Sequence, residues 1–200
     1  MDYDGMTTSA DPFAERLLPG EKVFWRGRPQ QGLMLTGGRD AVLIPYGLIL
    51  VAFAILSESN APRTANAPML TALSGAVFVL IGLFVCFGRF FVDAWIRTGV
   101  FYALTDRRIL ILRSRPSVRF QTVNLGRLPE ATLNETSNGR GTIRFGPALP
   151  ILKTALWNYY PVFMVGLWVP SLDPAAQLLA IEDVRKVFAS IQERVQAGSS

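Results

Sequence analysis

Five arginines, Arg107, Arg108, Arg113, Arg115 and Arg119, stand close together in a chain of 200 residues. A guanidinium presents a planar fork of N–H donors that matches phosphate oxygens, so arginines gathered around one hairpin suit an anionic surface. The residue types that carry catalysis are scarce by comparison. There is no histidine and one cysteine, Cys86, which removes the commonest general base, the commonest metal ligand and any internal disulfide. No carboxylate pair, Ser/Lys dyad or metal-ligand cluster stands at local spacing. The run Gly139-Arg140-Gly141-Thr142 lacks the Gly-Lys-Ser/Thr ending of a phosphate loop and sits on a hairpin, not between a strand and a helix. An enzyme is therefore not expected, nor are catalytic, cofactor-binding or metal-ligating residues. The net charge of +5, from 20 Lys/Arg against 15 Asp/Glu, favours an anionic partner. No nucleic-acid-binding motif accompanies it, so nucleic acid is not the expected one.

The elements that must position these arginines begin upstream. Residues 41–57, AVLIPYGLILVAFAILS, carry no charge, and neither do residues 64–88, whose densest apolar part is MLTALSGAVFVLIGLFVCFG. Both fall in the range of about 17–25 residues that crosses a bilayer as a helix. Pro45 lies near the start of the first, where a membrane helix tolerates it. The polar connector SESNAPRTANAP joins them into a hairpin with spans expected at about 40–57 and 68–92. Lys22, Arg26, Arg28 and Arg39 precede the hairpin, and Arg89, Arg97, Arg107 and Arg108 follow it. The connector holds only Arg63. That bias places both termini in the cytoplasm. Residues 1–20 lack the pattern of a secretory signal, so the first span is expected to remain as an anchor. Arg89, Asp93 and Arg97 recur at i, i+4 and i+8, one ladder along a helix. With Trp95 they are expected to anchor the helix end at the membrane interface. Small residues Ser74, Gly75 and Gly82 would allow close helix packing or self-association.

From Gly99 the period changes. GVFYALT and RILILR read as strands around a TDRR turn, where Thr105 and Asp106 can both hydrogen-bond the backbone locally and Asp106 is expected to hold the turn. VRFQTVNL and PEATLNET follow, and Asn138-Gly139 is a hairpin signal in which both residues accept positive φ. Residues 147–170, rich in proline, tryptophan and tyrosine, read as a long loop ending in a sixth strand, PVFMVGLWV. AAQLLAI is the last strand, and IEDVRKVFASIQERVQ an amphipathic helix with Ile181, Val184, Val187/Phe188, Ile191 and Val195 on one face. The pattern predicts a membrane α-helical hairpin (40–97) between an N-terminal cytoplasmic segment (1–39) and an α+β domain (98–200). That domain is a pleckstrin-homology-like antiparallel barrel of about seven strands with a C-terminal helix.

GEKVFWRGRP before the hairpin, GRFFVDAWIR at its exit, then FYALTDRRILIL, GTIRFG and IEDVRKVFASI together resemble bacterial membrane proteins that carry a PH-like domain. The resemblance covers most of residues 19–196. Tyr102, Leu104, Thr105, Asp106, Arg107 and Arg108 are its most recognisable step. It implies a PH-like fold and a membrane-bound, non-enzymatic module, and it names no ligand. The expected function is an inner-membrane protein whose cytoplasmic module binds a protein partner, a second copy of itself or anionic lipid headgroups. The competing reading is an accessory or oligomeric subunit of a membrane transport assembly. The five arginines would add about 1 kcal/mol each near an anionic leaflet. They would serve equally as a charged sheet edge that resists aggregation.

Overall fold

The computed structural model describes residues 11–35, 37–60, 67–136, 138–146, 166 and 168–197. The chain divides into two compact units. A helical unit comprises residues 31–95 and 150–174, and a β unit comprises residues 1–30, 96–149 and 175–200. The helical unit thus interrupts the β unit twice in sequence.

In the helical unit, α1 (Gly37–Ser59) and α2 (Ala67–Leu83) form the hairpin. A π-helical turn (Phe84–Gly88) follows α2 and leads into α3 (Arg89–Arg97), which ends just inside the β unit. Two helical stretches, Gly37–Ser59 and Ala72–Arg97, are long and apolar enough to cross a membrane. Pro45 lies in α1, as expected. The helices approach closely at Gly47 and Gly82. A Cβ on Gly82 would lie 2.6 Å from the Gly47 carbonyl oxygen, and one on Gly47 would lie 2.6 Å from Cys86 Sγ. Phe53 and Phe78 meet edge to face, with centroids 5.4 Å apart.

The β unit holds seven strands among the described residues. β1 (Val23–Gly27), β2 (Val100–Thr105), β3 (Arg108–Arg113) and β4 (Arg119–Asn124) form one antiparallel sheet in sequential order. β5 (Ala131–Glu135), β6 (Gly141–Phe145) and β7 (Gln177–Ile181) form a second. Neither sheet closes into a barrel. The alternation of β2 and β3 buries both faces of the first sheet. One face packs Ala103, Leu110 and Leu112 against Phe13, Leu17 and Val23. The other turns toward the second sheet, where the Tyr102 hydroxyl accepts a hydrogen bond from Leu179 N at 3.0 Å. The second sheet and α4 (Val184–Ala197) contribute Ile143, Leu178, Ile181, Val184, Val187 and Ile191 to the buried interior.

Several expectations need correction. The seventh strand comes from residues 23–27, ahead of the hairpin, because Val23–Gly27 pairs with Thr105 to Tyr102 of β2, with a bulge between Val23 and Trp25. Most of residues 147–170 lies outside the described residues. Where the expected sixth strand is described, Gly166 and Trp168 are helical and Pro170–Leu172 is a 3-10 turn. The chain folds back there, with Asp173 Cα only 3.0 Å from where a Cβ on Gly166 would stand. At the Asn138-Gly139 turn only Gly139 has positive φ, at 76°. The loop is wider than a two-residue hairpin and is closed by Thr136 N donating to Arg140 O at 2.8 Å. Ile181 ends β7, so the helix begins three residues later than its apolar period suggests.

Candidate functional site

The five arginines of the β2–β4 region do not form one cluster. β3 separates them, with Arg108 opposite Asn124 at one end and Arg113 opposite Arg119 at the other. A six-residue strand spans about 17–20 Å, too far for one ligand headgroup to touch both ends.

At the first end, Thr105 organises the turn. Its Oγ1 accepts from Arg107 N at 3.2 Å and Arg108 N at 3.0 Å, the local backbone bonding expected of Thr105 and Asp106 together. Asp106 instead reaches the N-terminal segment, where its Oδ1 accepts from Lys22 N and its N donates to Lys22 O, both at 3.1 Å. Arg108 grips Glu21 with two parallel bonds, Nε to Oε1 and Nη2 to Oε2, each 2.9 Å. The Thr105 hydroxyl and Leu18 N also bond this carboxylate, at 2.8 and 2.7 Å. The Glu21 carboxylate is fully buried. Hydrogen bonding from Arg108 outweighs the opposing cost of burial and lowers its pKa to about 2, while the Arg108 pKa is raised by the same contact. Arg108 is therefore occupied as an internal clamp, and Arg107 is the exposed one of the two.

At the second end, Arg113 and Arg119 face one another and are half-buried, and Arg115 is exposed. Arg115 Nη1 donates to Thr98 Oγ1 at 2.7 Å. Desolvation and the neighbouring Arg119 both lower the Arg113 pKa. Arg28, just after β1, lies with its guanidinium 4.1 Å from the Phe101 ring centroid. This end gathers positive charge, and among the arginines expected to meet an anionic surface it holds three: Arg113, Arg115 and Arg119.

The residues expected to anchor the helix end occupy two environments. Trp95 is half exposed, as an interfacial aromatic would be. Arg89, Asp93 and Arg97 are all buried. In the helical unit, Arg89 Nη2 lies 2.6 Å from Asp40 Oδ1, joining the start of α1 to the end of the π-turn. Its Nε donates to Val85 O at 2.6 Å and its guanidinium lies 4.3 Å from the Phe90 centroid. Asp93 Oδ1 accepts from Ser171 N at 3.0 Å, fixing the segment that returns from residue 166. In the β unit, Arg97 donates to Gln30 O. The i, i+4, i+8 spacing correctly puts these side chains on one helix face, and that face is inward. Asp40 was the missing signal, a lone acid at the head of an apolar run.

Comparison of the chain with protein-family models, with curated proteins and with solved structures found no match.

Proposed function

We propose that this chain is an integral protein of the cell (inner) membrane. Its two-helix hairpin anchors a cytoplasmic, non-enzymatic interaction module of the pleckstrin-homology-like type. The module binds a protein partner, a second copy of the chain or anionic lipid.

One observation carries the reading: the apolar helices are not covered. Only 22% of the best window of Gly37–Ser59 and 28% of that of Ala72–Arg97 is buried. Leu48, Ile49, Phe53, Ile55, Leu73 and Leu80 are all exposed. A soluble protein buries a helix that is apolar on every side, and contiguous apolar surface of this extent calls for lipid or another chain. The basic residues flanking the hairpin support a cytoplasmic location for both termini. Sheets of four and three strands followed by a C-terminal helix support the pleckstrin-homology-like reading of the β unit.

Alkaline carbonate extraction of membranes from expressing cells tests the anchor. The full-length chain should stay with the lipid pellet, as an integral protein does. Quantitative release into the supernatant would refute integral insertion.

A further inference from the structure

The β3–β4 loop, Ser114–Val118, combines three properties that occur together nowhere else among the described residues of the β unit. It carries exposed apolar surface, since Val118, its last residue before β4, is 69% exposed. It is ringed by arginines, Arg113 and Arg119 at the strand ends and Arg115 within the loop, with Arg28 nearby on the same end of the sheet. Register places them together: Arg113 pairs with both Val100 and Arg119, and Gly27, the neighbour of Arg28, pairs with Tyr102. No acidic residue occurs between Asp106 and Glu130 in the sequence. Third, the loop is tied to the point where the apolar helix ends. Arg115 is bonded to Thr98, which directly follows the last residue of α3. Ser114 N and Ser114 Oγ both donate to Gly99 O, at 2.8 and 3.0 Å.

Resting on the proposed membrane anchorage, we infer that this loop docks on the anionic headgroups of the leaflet from which α3 emerges, with Val118 seated below the phosphates and Arg28, Arg113, Arg115 and Arg119 among them. An apolar residue within a basic rim is the composition that partitions into a charged bilayer interface: arginines meet phosphate while the alkyl group enters the acyl boundary. The anchor supplies the second contribution that weak interfacial binding requires, because it holds the loop at the surface at high effective concentration. Arg107, at the far end of β3, takes no part.

The test uses the full chain in nanodiscs with a nitroxide attached through Val118→Cys. The native Cys86 is buried, and the unsubstituted chain carried through labelling gives the background. Accessibility to oxygen and to a water-soluble nickel chelate is compared in nanodiscs of phosphatidylcholine alone and with about a third phosphatidylglycerol. The loop should lose several-fold in nickel accessibility and gain in oxygen accessibility only where phosphatidylglycerol is present. Molar salt, which shortens the Debye length to about 3 Å, should reverse much of the change. Arg113→Gln with Arg115→Gln and Arg119→Gln should abolish it, and Arg107→Gln should not. A probe that stays aqueous in anionic nanodiscs overturns the inference, as does one equally protected in neutral lipid. A nitroxide at Ile49→Cys, on the exposed face of α1, separates this from failure of the anchor. If that control is also aqueous, the membrane reading itself is wrong.

Discussion

Glu21 and Arg108 show how a charge that reads as free becomes structural. The sequence offers Arg108 as one of five arginines, and nothing local marks Glu21 as its partner, because they meet only when the N-terminal segment crosses the β2–β3 turn. The two-pronged Arg108 guanidinium outweighs the opposing effect of burial and depresses the carboxylate pKa from its ordinary value near 4.5 to about 2. The bound form is the charged one, so the contact stabilises the fold fully above about pH 4.5. Its contribution declines as acid carries the group through the range down to about 2. Acid titration of thermal stability should be steeper over that window in the native chain than in Glu21→Gln. At pH 7 that substitution should cost about 1–3 kcal/mol, since Arg108 and Leu18 N lose a charged acceptor; parallel curves would remove Glu21 from the account. The Asp40–Arg89 pair follows the rule for buried ions: breaking one side costs about 3–5 kcal/mol, whereas replacing both with apolar groups can be neutral. Asp40→Leu alone should therefore lower the melting temperature in detergent markedly. Asp40→Leu combined with Arg89→Met should recover much of the loss. Additive losses would show that the two side chains do not act as a pair.

The helices and most strands could be read from period and punctuation alone. The apolar runs became α1 and α2, and the alternation after Gly99 became β2 to β4 within a residue or so. What could not be read was anything fixed by distant contact. β1 is too short and too rich in charge around Trp25 to declare itself without β2 beside it. The π-turn at Phe84–Gly88 has no periodic signature, although such turns frequently mark sites where a helix is adjusted to hold a particular side chain, and here it precedes Arg89. The Gly47–Gly82 contact gives the hairpin a measurable signature. Gly82→Leu would force apart backbones that now approach within van der Waals distance, and Gly75→Leu, whose Cβ has the flexible Glu58 side chain as its nearest neighbour, should be far milder. Equal effects on detergent stability would contradict the close crossing. In α4 the predicted face is right, but its anchor is Ile191, fully buried, rather than the half-buried Phe188. Ile191→Ala should cost about 2–5 kcal/mol and Phe188→Ala less, read from thermal unfolding; the reverse order would mean that α4 packs through a different stripe.

At the scale of the whole molecule, the two units are interleaved in sequence although each is compact by itself. The hairpin occupies the connection between β1 and β2, and residues 150–174 depart from the β unit between β6 and β7. The division into an N-terminal segment, a hairpin and a C-terminal domain follows hydropathy, which registers long apolar helices well. Hydropathy cannot register that Phe13 and β1 belong with strands that come after the apolar hairpin. The candidate site was legible to the same partial degree. The arginines were visible as residue types, but only strand register divides them into an internal clamp at one end of β3 and a basic loop with an exposed valine at the other. All of this depends on the hairpin crossing the bilayer with the β unit in the cytoplasm. Reporter fusions after Asn66 and after Gly198 measure that directly. Activity at Asn66, beyond one span, should be periplasmic, and activity at Gly198, beyond two, cytoplasmic. Cytoplasmic activity at Asn66 or periplasmic activity at Gly198 would contradict it.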